Sequence, residues 1–336
     1  MEAWFGIPEF NILAHNITIP GLSPLYPQVH CTRSLEVCQI TTGEGEINAA
    51  STIMALTLYP RFDLTKTYFL IAGIGGVNPE RTTVGSAAFA RYAVQVALQY
   101  QIDIRELPDN YTTGYIPQGS EEPYTMPGNL YGSEVFELNN NLRSIAVKLA
   151  RQGTLADTAE AQVYRMKYVG EYDAAIQPAS VVECDVATSD VYYSGNILSS
   201  GFDKISQVWT NGTAQYCNSG QEDNATLEAL LRASLSGLTD FSRIMVMRTA
   251  SDFDRPAPGE SATYHLIYSK QGGASSLAFK NLYNAGIPVI EGILSSWNTT
   301  FAAGIKPTNY IGDMLGTLGG SPDFGPGKEE ALSRAA

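Results

Sequence analysis

Two acidic runs carry most of the chemistry open to this chain. Gln221-Glu222-Asp223-Asn224-Ala225-Thr226 opens a segment with helical apolar spacing, and Arg248-Thr249-Ala250-Ser251-Asp252 follows the compact apolar run Arg243-Ile244-Met245-Val246-Met247. The spacing predicts a helix over 225–235 and then a buried strand over 243–247, with Asp252 four to five residues past the strand core. Ligands of open α/β sheets bind outside the carboxyl ends of strands, so Asp252 is the first candidate for a reacting group. An aspartate there also suits a turn capped by its own side chain.

Two glycine-rich stretches offer backbone rather than side-chain chemistry. Gly43-Glu44-Gly45-Glu46 follows a predicted hairpin over 29–42 and precedes the small residues Ala49 and Ala50 at the start of a helix. Free N–H groups at such a turn suit an anion or a sugar hydroxyl, although Gly also serves a plain tight turn. Gly73, Gly75 and Gly76 follow the strand-like run 67–72; a lone GxGG is weak as a dinucleotide signal, and Pro79 blocks the helix that a pyrophosphate would need. The alternatives there are close backbone approach to a flat ligand and a structural turn. Tyr192 and Tyr193, ending the strand-like run 189–193, could stack on a base or belong to the core.

These elements imply one α/β domain spanning 1–336, a three-layer α/β/α sandwich with a mixed central sheet, irregular over 1–28 and 306–336. Further strands are expected over 89–98, with 101–105 pairing beside it, and over 181–183. Helices are expected over 133–151, 156–169, 274–285 and from 287 through Trp297, with a long loop over 107–132.

A net charge of −13 and a pI near 4.7 argue against nucleic acid or an anionic membrane surface as partner. No apolar run reaches the length of a membrane-spanning helix. The four cysteines lack zinc-ligand spacing. With five Asn-x-Ser/Thr sequons (Asn16, Asn110, Asn211, Asn224, Asn298) they suggest a secretory route, a glycoprotein and two disulfides, Cys31–Cys38 across a hairpin and Cys184–Cys217. The alternative is four buried thiols and chance sequons. No signal peptide opens the chain, so the expectation is that one has been removed or that the N-terminus given is incomplete.

The runs TTGEGEINAAS, FLIAGIGGVNP, SDVYYSG, QEDNATLEALL and RTASDFDRP together resemble the fungal purine nucleoside permease family over nearly the whole chain, and through it the nucleoside phosphorylase and nucleosidase fold. The resemblance implies a purine nucleoside as partner and cleavage of its N-glycosidic bond through an oxocarbenium-like state. No metal or organic cofactor is called for, and a homo-oligomer is compatible with it. Carried over residue by residue, Asp252 of the "SD" pair protonates the purine, and burial should raise its pKa so that it holds a proton. The acidic run holds the ribose hydroxyls, but Asn224 stands where a glutamate is expected, so the role passes to Asn224 with Glu222 nearby; a glycan at Asn224 would then lie in the site, and that sequon is set aside.

Phosphorylases of this fold carry an Arg in the strand over 68–72, and none is present here. Water as nucleophile then needs a general base, with Glu2 the first candidate and Glu46 a distant second. Three functions follow: a secreted or cell-surface purine nucleosidase, a phosphate-dependent phosphorylase, and a nucleoside-binding protein that serves uptake without catalysis.

Overall fold

The computed structural model describes residues 2–327 together with Glu330 and Ser333; Met1 and the rest of the tail lie outside the described residues. A small antiparallel sheet comes first, formed by β1 (His15–Thr18), β2 (Gln28–Cys31) and β3 (Cys38–Gln39). The β2–β3 hairpin sets Cys31 opposite Cys38, and the expected disulfide joins them with Cα atoms 4.1 Å apart. The N-terminal segment, expected to be irregular, thus supplies a strand and, at Glu2–Trp4, a 3-10 turn.

In chain order there follow α1 (Glu46–Thr57), β4 (Phe69–Val77), β5 (Ala87–Ala90), β6 (Tyr92–Gln95), β7 (Gln99–Gln101), β8 (Tyr115–Pro117), β9 (Val135–Glu137), α2 (Asn140–Ala150), α3 (Ala159–Arg165), β10 (Val181–Glu183), β11 (Asp185–Thr188), α4 (Asn196–Trp209), β12 (Tyr216–Gly220), α5 (Asp223–Leu235), β13 (Ile244–Phe253), α6 (Ala274–Ser295) and β14 (Gly312–Asp313). Nine strands build one sheet in the order β10-β5-β13-β4-β12-β11-β6-β9-β14, with parallel and antiparallel pairs mixed. Alternation along β13 fixes the layers. Ile244 and Val246 pack with Leu227 and Leu230 of α5, whereas Met245 and Met247 pack with Leu142 of α2 and Leu282 and Val289 of α6. Helices therefore cover both faces of a mixed sheet, as expected. The second expected disulfide, Cys184–Cys217, is present, its Cα atoms 5.7 Å apart.

Several expected elements are redrawn. The strand over 89–98 breaks at Arg91, because the N–H groups of Arg91 and Tyr92 turn aside to the buried Asp185 carboxylate at 2.9 and 2.8 Å. The segment 99–101 pairs with β8 in a separate sheet. The helix over 133–151 begins only at Asn140, capped by the Asn139 side chain, and is preceded by a three-residue buried strand too short to show a period. The helix over 156–169 shortens to α3 followed by a 3-10 turn at Met166–Tyr168. Residues 189–193 form a loop after β11, in which Ser189 Oγ accepts from Val191 N–H. The two helices expected around Pro288 are the single α6, whose buried Ala285, Ile287, Val289 and Ile293 outweigh the one hydrogen bond that proline removes. Both β4 and β13 run further than their apolar cores suggest, so Gly73, Gly75, Gly76, Ser251 and Asp252 lie within strands and not beyond them.

Candidate active site

Alternation along β13 that turns Ile244 and Val246 toward α5 carries Arg248 to the same side. Its Nη2 donates to Asp223 Oδ2 at 2.7 Å and to Glu222 Oε2 at 3.0 Å, and Nη1 donates to the Ile74 carbonyl at 3.2 Å. Burial works against the guanidinium charge, but Asp223 and Glu222 outweigh it and hold Arg248 above the ordinary arginine range. A Cβ on Gly73 would run into this guanidinium, one on Gly220 into the Asp223 carboxylate, and one on Gly75 into the Ser219 carbonyl. The close approach that these glycines permit is therefore to the protein's own atoms.

The first turn of α5 thus carries its acids where a helix N-terminus favours them, and Glu222 reaches further. Its Oε1 accepts the Gly45 N–H at 3.1 Å, and the next N–H, that of Glu46, is met by both oxygens of Asp190 at 2.9 and 3.2 Å. The turn over 43–46 has these two N–H groups filled by carboxylates, while Glu44 is exposed. Glu46 itself, half-buried, accepts from Gln95 Nε2 at the end of β6. Burial, then repulsion from Asp190, pushes the Glu46 carboxyl up to about 7 against the opposing effect of the Gln95 bond.

At the end of β13, Ser251 Oγ donates to Asp252 Oδ1 at 2.7 Å and also approaches the Gly75 carbonyl at 3.1 Å. The other carboxylate oxygen lies over Gly76, whose N–H donates to Ser219 Oγ at 2.8 Å. Burial pushes Asp252 up to about 6; Ser251 opposes the rise and Asp254 adds to it. The residue nonetheless keeps partial access to solvent.

Tyr192 joins the two halves. It is exposed, and its hydroxyl, raised by local burial, also feels Glu44, Glu222, Asp190 and Asp252. Tyr193 is anchored: its hydroxyl lies 3.0 Å from that of Tyr216, which donates to Asp254 Oδ2 at 2.8 Å, and Arg255 Nε donates to Asp254 at 2.7 Å. Chemically, two carboxyls that burial raises, Asp252 and Glu46, belong to one acidic cluster: Tyr192 feels Asp252, Asp190 and Glu222, and Glu46 feels the last two.

Of the residues expected from sequence, Gly45, Glu46, Gly76, Tyr193, Glu222, Asp223, Ser251 and Asp252 meet in this region. Asn224 is buried and committed elsewhere: its Oδ1 accepts from Thr188 Oγ1 at 2.7 Å and its Nδ2 donates to the Ser133 carbonyl at 2.7 Å. Glu2 opens the turn at Glu2–Trp4, and its neighbours Ala3 and Trp4 pack with the α2/α6 cluster, across the sheet from α1. Sequence reasoning assigned no role to Asp190, Gln95, Ser219 or Arg248. Asp190 and Arg248 stood inside the quoted motifs, and an acid or an arginine at a strand end was the available signal.

Two clefts elsewhere, about 620 Å³ beside Glu9 and Arg33 and about 310 Å³ beside Asp157 and Lys280, do not include these acids. Among the described residues no cluster of three or more His, Cys, Asp or Glu could hold a metal, and no helix is long and apolar enough to cross a membrane.

Residues 1–306 match the family model described as purine nucleoside permease (NUP). A purine nucleoside permease of Candida albicans is 49% identical over 329 residues, covering 96% of this chain and 80% of the relative. A probable purine nucleoside permease of Schizosaccharomyces pombe is 44% identical over 305 residues, covering 88% and 86%. Among solved structures, a 5'-methylthioadenosine/S-adenosylhomocysteine nucleosidase of Neisseria meningitidis is 13% identical with a TM-score of 0.48, covering 88% of this chain and 96% of that one. Futalosine hydrolase of Helicobacter pylori is 12% identical with a TM-score of 0.45, covering 84% and 90%.

Proposed function

The chain belongs to the purine nucleoside permease family, and from that premise we propose that it binds purine nucleosides and hydrolyses their N-glycosidic bond. The observation that carries this reading is one acidic cluster: Tyr192 lies within electrostatic reach of Asp252, Glu222 and Asp190, and Glu46, whose carboxyl burial raises, faces Asp190 and Glu222. Asp252, protonated, gives its proton to N7 of the purine as the C1′–N9 bond breaks, and the bonding pair leaves with the base. Glu222, at the helix start, holds the ribose hydroxyls. Water adds to C1′ of the cationic sugar and yields its proton to Glu46, the role first sought at Glu2. The products are free purine and free ribose.

Water rather than phosphate is the nucleophile in this reading. Arg248 is the cation within the cluster, and Asp223 and Glu222 neutralise it. The N–H groups of Gly45 and Glu46, where α1 begins and an anion would be favoured, already serve Glu222 and Asp190. Incubation with inosine or adenosine, with and without phosphate, tests the proposal: free base and ribose at equal rates support it, and ribose 1-phosphate overturns it. Capture for uptake without cleavage, the reading that the family name favours, would give binding and no product. The two disulfides and the exposed sequons at Asn16, Asn110, Asn211 and Asn298 support a setting outside the cell; Asn224, being buried, is no glycan acceptor in the folded chain.

A further inference from the structure

The loop of Tyr192 and Tyr193 continues into Ser194, which ends a buried hydrogen-bond chain that the reaction above does not use. His265 is the central member, with 0% exposure, although Tyr264, Ile267 and Tyr268 of the same π-helical turn are exposed. Its Nδ1 lies 2.8 Å from Ser194 Oγ, and its Nε2 lies 3.2 Å from the Tyr164 hydroxyl. The Tyr164 hydroxyl is 3.3 Å from that of Tyr168, and Tyr168 donates to the Arg255 carbonyl at 2.9 Å. Tyr164 and Tyr193 both lie within electrostatic reach of Asp252, so the chain flanks the acid.

The carbonyl at the far end fixes the direction of every bond. A carbonyl oxygen only accepts, so Tyr168 commits its single proton to Arg255. Tyr164 then donates to Tyr168, and its oxygen accepts from His265 Nε2–H and from the nearby Ser269 hydroxyl, whose own oxygen already accepts the Gln271 N–H at 3.2 Å. Burial lowers the His265 pKa to about 4, which keeps the ring neutral near pH 7; a neutral imidazole with its proton on Nε2 accepts at Nδ1. Ser194 therefore donates to His265. Its oxygen keeps its lone pairs, and among the described residues Ser194 Oγ has this one side-chain hydrogen bond. Ser194 is partly exposed.

We infer that Ser194 is held as an obligate hydrogen-bond acceptor for the ligand, so that the ligand group placed there is a donor, a hydroxyl or an amino N–H, and not an ether, thioether, carbonyl or phosphate. The inference rests on the nucleoside reading above. It names Ser194 as a specificity-determining residue and His265 as the positioning residue that orients it. A nucleoside offers such a donor from two sources, the 5′-hydroxyl of the sugar or an amino group of the base.

Binding measured by stopped-flow fluorescence, before turnover consumes the ligand, separates them. The ligands are adenosine, 5′-O-methyladenosine, whose sugar oxygen keeps its lone pairs but has lost its proton, and purine riboside, which lacks the amino group. Ser194→Ala removes one oxygen at a partly exposed position, so the fold is not at issue. It is expected to weaken adenosine binding about tenfold, near the upper end of what one hydrogen bond contributes, and to leave unchanged the analogue that lacks the relevant donor. Equal loss on all three ligands, or loss on none, overturns the inference while the nucleoside reading stands. Failure of the unaltered protein to bind any of the three removes the nucleoside reading and this inference together.

Discussion

Replacing Asp252 with Asn keeps the shape of the side chain and a hydrogen bond to the purine, but it removes the proton that the leaving base requires. Loss of a general acid typically costs about 10² to 10⁴ in rate, expected in kcat more than in KM. The pH dependence is more diagnostic. Burial places Asp252 at about 6 and Glu46 at about 7, yet the acid must be protonated and the base ionised. At pH 6.5 about a quarter of each group is in the required form, so about 6% of molecules carry both, and activity should follow a bell centred near 6.5. Asp252→Asn should abolish the alkaline limb and leave residual activity rising through about 7 with Glu46.

The same substitution carries a stability signature. The folded pKa of Asp252 lies above its ordinary 3.8, so its contribution to stability is full below about 4 and is lost as pH rises through about 6. At pH 8 the buried carboxylate costs at most about 3 kcal/mol at 1.36 kcal/mol per pH unit, less for its partial solvent access. Asp252→Asn is therefore expected to melt higher than the unaltered protein at pH 8, by about 1–3 kcal/mol, with no advantage at pH 4. Near-normal turnover with an unchanged bell would refute the assignment of the acid. A variant that melts lower at pH 8 would make Asp252 a structural cap instead.

Glu46→Gln should remove the acid limb of the same bell and lower kcat by about 10² to 10⁴ while leaving adenosine binding nearly intact; a variant whose acid limb persists would return the base to another residue. Arg248→Met leaves Asp223 buried without its cation and should cost about 3–5 kcal/mol in urea unfolding, whereas a loss below about 1 kcal/mol, the range of exposed ion pairs, would contradict the buried role given to it.

Much of this was legible in the sequence because local patterns coincide with tertiary roles. The run 244–247 is apolar on both faces because helices cover both sides of β13, and the hairpin spacing of Cys31 and Cys38 is the geometry of β2 and β3. The site was legible in part. Glu222, Asp223 and Asp252 announced themselves as acids at helix and strand ends, whereas Asp190, Gln95 and Glu46 meet only because β6, β11 and α1 end together. Gly73 and Gly75 were ambiguous in sequence because the atoms that forbid a Cβ there, from Arg248 and Ser219, come from strands far along the chain. The commitment of Asn224 to Thr188 and Ser133 was hidden for the same reason.

Cleavage of inosine in ¹⁸O-labelled water, with phosphate present and the sugar product read by mass spectrometry, tests the central claim most directly. Water that yields its proton to Glu46 and adds to C1′ puts one heavy oxygen into free ribose and none into a phosphate ester. Ribose 1-phosphate without the label, or intact inosine recovered from a protein that binds it, would contradict hydrolysis by this site.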